Sequence, residues 1–352
     1  MVTKIGLDLG YANITISDSI AEIYREPSVA LVYKEPKADQ RRIICVGSEA
    51  MVRGSEGIGA DGSLLVRPFK NGILFDHQIT KEIIQRALAA LGEVDKLRCA
   101  VGVPSDFSPK QEKELFGMLT AAGVETAFSV ARPVAAVIGA GYSPAMSVIS
   151  VNIGALSTEI AIMHRGEVLS LTTAPVGGED FDRAVKEHIL EQGEVNVSLI
   201  VARAIKERLG AVWKGRANDS LDIEGTLSLT GNKLKMNVTT EDIVGVFEKP
   251  LERLIGAVHA AVLAIPPSAV EDIFKNGIVL TGGGAELYGI DVLMSRVLGI
   301  SVTKPDGAMD CVAKGLSRIN AFVSPRAKVG NKNITAQVAK YYETSKNTRG
   351  SK

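Results

Sequence analysis

Ile5-Gly6-Leu7-Asp8-Leu9-Gly10-Tyr11-Ala12-Asn13 reads as an apolar strand running into a carboxylate, a glycine turn and the start of a second strand. Hairpins of this form wrap backbone N–H groups around an anion such as phosphate. The pattern returns at Ile149-Ser150-Val151-Asn152-Ile153-Gly154-Ala155-Leu156-Ser157. Two such hairpins imply a duplicated fold gripping a phosphate-bearing ligand. They are not equal copies. The first holds Asp8 where a cation-bound water needs a carboxylate, whereas the second has Asn152 there and no run of glycines in its turn.

The 352 residues, 46% hydrophobic and 23% charged, are enough for large cores and suggest about two domains. Forty basic residues balance forty acidic ones. No global field therefore draws the chain to nucleic acid, and any attraction to an anionic surface must be local. Cys45, Cys99 and Cys311 are too scattered for a disulfide framework or a metal-ligand spacing, which points to a reducing cytoplasm. A strand begins almost at the first residue, so no signal peptide is expected. The weakly charged stretch from Pro133 to Met163 is interrupted by Pro144, glycines and Glu159. It lacks the run of roughly 20 apolar residues that a membrane helix needs. It reads as a buried helix, Pro133 to Gly141, followed by the second hairpin.

Strands come first along the chain: Glu26 to Val32 and Ile43 to Gly47 follow the opening hairpin. Apolar residues at Ile83, Ile84, Ala87, Leu88 and Leu91 predict a helix from Thr80 to Leu91, with Thr80 as its cap. Cys99 to Pro104 is a short buried strand. Ser108, with Pro109 and Gln111 after it, predicts a capping box. After the second hairpin, Gly166 to Leu171 continues a sheet and Asp180 to Glu191 is a helix. Val201 to Leu209 and Glu241 to Ala264 read as helices around a strand-like insert, Ser220 to Val238. Gly277 to Thr281 is a buried strand ending in Gly282-Gly283-Gly284. The pattern is that of two α/β domains around a cleft.

In order and spacing, several blocks resemble the bacterial actin MreB family, within the superfamily of actins, sugar kinases and heat-shock chaperones. They are Gly6 to Asn13, Glu26-Pro27-Ser28-Val29, Arg67 to Ile73, Val101-Gly102-Val103-Pro104, Val176 to Asp182, Pro266-Pro267, Gly277 to Ala285 and Cys311 to Gly315. The resemblance implies an actin-like fold of two ribonuclease-H-like domains, each with a smaller subdomain, and ATP with magnesium in the cleft. Domain I would comprise residues 1–141 with 312–330, domain II 142–311, and a polar basic tail 331–352. The nucleotide-binding positions it implies are Asp8, Gly10, Tyr11, Ala12 and Asn13; Asn152, Gly154, Ala155, Leu156 and Ser157; Arg203, Lys206 and Glu207 on a helix beside the adenosine; and Gly282, Gly283, Gly284 and Ala285. Asp8 would hold magnesium through water.

Several departures bear on catalysis. The family's water-orienting glutamate stands immediately before a proline, and here that position is Arg132. A guanidinium has no acceptor lone pair and stays protonated, so it cannot take a proton from water. It either donates to a γ-phosphate or faces solvent or a neighbouring carboxylate. Asn152 brings no negative charge to a metal, and Ala155 and Leu156 are expected to hinder any turn that needs φ above zero. Tyr11, where the family has threonine, adds bulk to the first loop.

The expected function is a cytoskeletal filament protein that binds ATP with weak or absent hydrolysis. The alternatives are an active ATPase with a substitute catalytic group, or a chaperone-type or kinase-type member of the superfamily. Expected partners are further copies of the chain or another bacterial actin, with no nucleic acid. From Ser324 onward the chain carries seven basic residues and one acid, Glu343. That tail reads as a solvated terminus, ahead of a peripheral membrane tether in which each basic residue contributes about 1 kcal/mol at an anionic leaflet.

Overall fold

The opening hairpin forms from β1 (Val2–Leu9) and β2 (Asn13–Ser17), paired antiparallel with Asp8 opposite Thr15. This is part of a computed structural model that describes residues 2–18, 21–34, 41–57, 62–70 and 73–322. The basic tail expected from Ser324 onward, like Asn71 and Gly72, lies outside the described residues. Two compact units are present. One takes residues up to Met146, Met163–Thr172 and those from Asp310 on, and the other takes Ser147–Ile162 and Thr173–Met309.

In the first unit, alternation along β1 sends Ile5, Leu7 and Leu9 into one core. Gly6, on the opposite face, lies against the closing helix Cys311–Phe322, where a Cβ would sit 2.4 Å from the Ser317 nitrogen. β3 (Glu22–Pro27) extends the hairpin. β4 (Ala30–Lys34), β5 (Arg41–Val46), helix α1 (Ser48–Gly57) and β6 (Ser63–Val66) form a smaller layer with strand order β5-β4-β6. A two-residue pair, β7 (Phe69–Lys70) and β8 (Ile73–Leu74), precedes α2 (His77–Ala89). α2 begins three residues before the expected Thr80. Asp76 caps it by accepting the Ile79 N–H at 3.1 Å, and the Thr80 hydroxyl donates to the Asp76 carbonyl instead.

β9 (Lys96–Val103), α3 (Pro109–Ala121), β10 (Thr126–Ala131) and α4 (Arg132–Gly139) complete the larger sheet, ordered β10-β9-β1-β2-β3. The capping box at Ser108 and Gln111 is present. α4 crosses the closing helix with backbone against backbone: a Cβ on Gly139 would fall 1.7 Å from the Cys311 carbonyl oxygen, and one on Gly315 1.8 Å from that of Ala135. Only glycine permits that approach.

A second sheet, most of it in the second unit, repeats the plan. β11 (Val148–Ile153), β12 (Thr158–His164) and β13 (Glu167–Ala174) stand as β1 to β3 do. α5 (Gly178–Gly193), β14 (Val195–Asn196), α6 (Leu199–Leu209), β15 (Ser220–Leu227) and β16 (Lys233–Thr239) follow. Then come α7 (Glu248–Leu263), α8 (Val270–Asn276), β17 (Ile278–Thr281), α9 (Ile290–Leu298) and β18 (Val302–Thr303). The sheet order β13-β12-β11-β17-β18 is that of the first unit's sheet, with β17 and β18 parallel to β11 as β9 and β10 are to β1. The single helix expected from Glu241 to Ala264 is instead a short 3₁₀ turn, Glu241–Ile243, and then α7. The left-handed Gly245, φ +81°, breaks it between them. Among the described residues no single helix is long and apolar enough to cross a membrane.

Candidate functional site

The two hairpins close with one geometry. The Gly10 N–H donates to the Asn13 carbonyl at 2.9 Å, and the Gly154 N–H to the Ser157 carbonyl at 2.9 Å. A Cβ on either glycine would crowd that same carbonyl oxygen, at 2.8 Å and 3.0 Å. Neither turn uses a positive φ: among the described residues other than glycine, only Arg165 and Glu194 do, and Gly10 and Gly154 are not among the positive-φ glycines. The hindrance expected from Ala155 and Leu156 therefore does not arise. Both residues fit the turn in ordinary backbone conformations, and both are partly exposed.

The first turn is braced from outside by Arg67. Its Nη1 donates to the carbonyls of Tyr11 (3.0 Å), Ala12 (3.3 Å) and Ser28 (3.4 Å), while its guanidinium lies 5.0 Å from the centre of the Tyr11 ring. The Ser28 N–H adds a bond to the Ala12 carbonyl at 2.8 Å. The bulk of Tyr11 thus serves as a platform for an arginine. Arg67 opens one of the sequence blocks quoted above, but nothing in its neighbours signals which carbonyls it would reach.

The second turn is braced by the start of α5. The N–H groups of Gly178 and Glu179 donate to the carbonyls of Gly154 (2.9 Å) and Ala155 (2.8 Å). The close contact requires glycine at position 177, where a Cβ would lie 2.7 Å from the Ala155 carbonyl and the Ser157 nitrogen. From α6, Lys206 donates to the Gly178 carbonyl at 3.0 Å and pairs with the buried Asp182 at 2.6 Å. Arg203 pairs with the same carboxylate at 3.1 Å. Glu207, also expected at the site, is exposed. Asp182 was not singled out from the sequence; its signal is an acid turned inward on α5 beside Phe181 and Val185, on the helix that also buries Glu179.

Asn152 is buried at the end of β11, opposite Thr281 of β17, whose hydroxyl donates to its Oδ1 at 3.3 Å. The glycine run behaves unevenly. At Gly282, φ +86°, a Cβ would meet the Ile153 carbonyl oxygen at 2.4 Å, and at Gly284 it would meet Ile153 Cγ2 at 2.1 Å. Both are glycine because of Ile153. Only at Gly283 is the backbone bare, with Met309 Cε at 3.8 Å as the nearest atom. Ala285 is buried, its N–H donating to the Gly282 carbonyl at 3.1 Å.

Arg132 opens α4 directly after β10. Its Nε donates to Asp8 Oδ1 at 3.0 Å and its Nη2 to the Leu9 carbonyl at 2.6 Å. Of the roles left open for it, the neighbouring carboxylate is the one this geometry provides. The strand register puts Asp8 beside Gly102, and Gly102 beside Val130. A Cβ at Gly102 would lie 3.3 Å from Asp8 Oδ1 and 3.4 Å from Arg132 Cγ, so this glycine leaves room for the pair. Asp8 is already matched by a guanidinium, Asn152 is neutral, and among the described residues no group of three or more His, Cys, Asp or Glu could hold a metal.

Two five-stranded sheets of equivalent order, each built around a glycine-turned hairpin, define an actin-like protein. The profile of the family described as MreB/Mbl protein matches residues 2–326, and the chain belongs to that family. It is 27% identical over 318 residues to the cell shape-determining protein Mbl of Bacillus cereus, covering 88% of this chain and 93% of that one. To the cell shape-determining protein MreB of Escherichia coli it is 26% identical, with 88% and 91% covered. Among solved structures, MreB5 of Spiroplasma citri bound to ADP superposes with a TM-score of 0.82 at 22% identity, covering 90% of this chain and 95% of that one. A MamK double helical filament gives 0.74 at 20% identity, with 92% and 100% covered.

Proposed function

We propose that this chain is a cytoplasmic, filament-forming bacterial actin serving cell shape, which binds ATP and turns it over weakly or not at all. Self-association is supported by the filament architecture of MamK, and nucleotide binding by the ADP carried by MreB5. Another bacterial actin is the natural alternative partner.

The slow turnover rests on one observation, the Arg132–Asp8 pair. Arg132 stands at the position of the family's water-orienting glutamate and offers only donors, all unable to accept a proton. Loss of a general base alone costs about a hundredfold or more in rate. The test is phosphate release by the purified chain, beside sedimentation and negative-stain microscopy with and without ATP. Assemblies that form with ATP while phosphate release stays at background support the reading. Turnover comparable with that of the E. coli relative, kept by Arg132→Ala, refutes it.

A further inference from the structure

The small layer of the first unit leaves a sheet edge open. β5 stands at the end of the order β5-β4-β6, so among the described residues the main-chain N–H and C=O groups on its outer side have no strand to pair with. No hydrogen bond from outside the sheet reaches the main chain of Arg41 to Val46 among those residues either. Beside that edge runs a cleft of about 540 Å³, walled by the six residues of β5 on one side and by Gln78, Glu82 and Arg86 of α2 on the other. Ion pairs tie the two walls at their ends: Arg41 to Asp76, the cap of α2, at 3.2 Å, and Arg86 to Glu49, which follows β5 in α1, at 3.8 Å. Strand and helix therefore run side by side in one direction, with the cleft between the two ties.

We propose that this cleft binds an extended peptide, which adds to β5 as a further strand and carries a basic side chain opposite Glu82. The occupant is a polypeptide because an open edge offers a row of main-chain donors and acceptors, which another main chain matches along its length. It is a single strand because of the space. At the spacings of packed sheets, about 4.8 Å between strands and 10 Å between layers, a strand residue fills about 160 Å³, so the cleft takes a short segment alone. The β5 of a second copy would bring β4 and α1 with it. The helix wall supplies the selection. Gln78, Glu82 and Arg86 follow one another at four-residue steps of about 6 Å, and alternate side chains of a strand follow at about 6.6 Å. Inward side chains of the guest thus meet the three in turn. Arg86 is matched by Glu49, whereas Glu82 is exposed and has no partner among the described residues. A lysine or arginine opposite Glu82 gains an ion pair, and a glutamate there meets a like charge.

The experiment is fluorescence polarisation with the full chain and a labelled nonapeptide of alternating threonine and valine with lysine at its centre, beside the same peptide with a central glutamate. The lysine peptide is expected to bind more tightly by about tenfold, and Glu82→Lys to reverse that order. Amide exchange followed by mass spectrometry is expected to slow over Arg41 to Val46 when the lysine peptide is added. No binding of either peptide at about 1 mM, an order that Glu82→Lys leaves unchanged, or slowing only elsewhere overturns the proposal. Slow exchange on the outer edge of β5 in the chain alone also overturns it. If independent of concentration it places another segment of this chain on the edge, and if it grows with concentration it places a second copy there. The two peptides and the exchange over β5 decide the question even if Glu82→Lys does not fold.

Discussion

Three adjacent substitutions, Gly282→Ala, Gly283→Ala and Gly284→Ala, add the same methyl group, yet the structure separates them sharply. At Gly282 the backbone is left-handed, φ +86°, which costs an alanine about 1–2 kcal/mol. The new Cβ would also lie 2.4 Å from the Ile153 carbonyl oxygen and 2.8 Å from Asn152 Oδ1, and neither is a flexible tip that can swing away. Displacing them adds about 1–3 kcal/mol, for a loss near 3 kcal/mol in all. Gly284→Ala meets Ile153 Cγ2 at 2.1 Å inside a fully buried cluster, so it is an overpacking change costing about 1–3 kcal/mol. Gly283→Ala finds Met309 Cε at an ordinary 3.8 Å and should stay within about 0.5 kcal/mol of wild type. Urea unfolding of the three variants without nucleotide measures this order. A Gly283→Ala loss of about 2 kcal/mol, or a Gly282→Ala variant as stable as wild type, refutes the reasoning. If the order holds, Gly283→Ala is the variant whose nucleotide affinity reports on direct backbone approach, free of folding effects.

Arg67→Lys removes the fork that reaches three carbonyls around the first turn and should cost about 1–2 kcal/mol, with faster amide exchange at Tyr11 and Ala12 as the local signature. Asn320→Asp replaces the donor that serves the Ile5 and Arg98 carbonyls, both at 2.9 Å, with a buried negative oxygen. A loss of about 3 kcal/mol or more is expected in the same unfolding assay. Asp242 accepts the Thr239 N–H at 2.7 Å and its hydroxyl at 2.8 Å, which hold its carboxyl below the usual range, the backbone bond foremost. Its contribution is therefore present above the unfolded value, about 3.9, and is lost as pH falls through the lower folded one. Asp242→Asn should flatten the acid limb of the stability curve below about pH 4, as followed by circular dichroism.

The duplicated hairpin was legible because apolar alternation, a polar residue and a glycine are local signals, and the capping box of α3 was legible for the same reason. Boundaries decided by competition were not. Asp76 outcompetes Thr80 as the cap of α2, and Gly245 divides a run of helix-forming residues that periodicity alone joins. The pairing of Arg132 with Asp8 spans 124 positions, so no window of sequence contains both partners. Arg67 reaches across 56 positions to the Tyr11 carbonyl for the same reason. The glycine triplet is instructive in another way. The family resemblance marks all three as nucleotide-binding, but two of the three positions answer to one isoleucine.

The crossing of α4 and the closing helix has a consequence for how the protein is made. Gly139 and Gly315 need each other's helices at van der Waals range, and Asn320 ties the same closing helix to β1 and β9. On a ribosome, β1, β9 and α4 emerge long before residues 311–322 do. The second unit is synthesised in the interval, and among the described residues the second sheet draws on no strand outside Val148–Thr303. Contacts so distant in sequence close late. The half of the molecule that the ribosome starts is thus the half it finishes last, waiting with an open seam until the last described helix arrives to fill it.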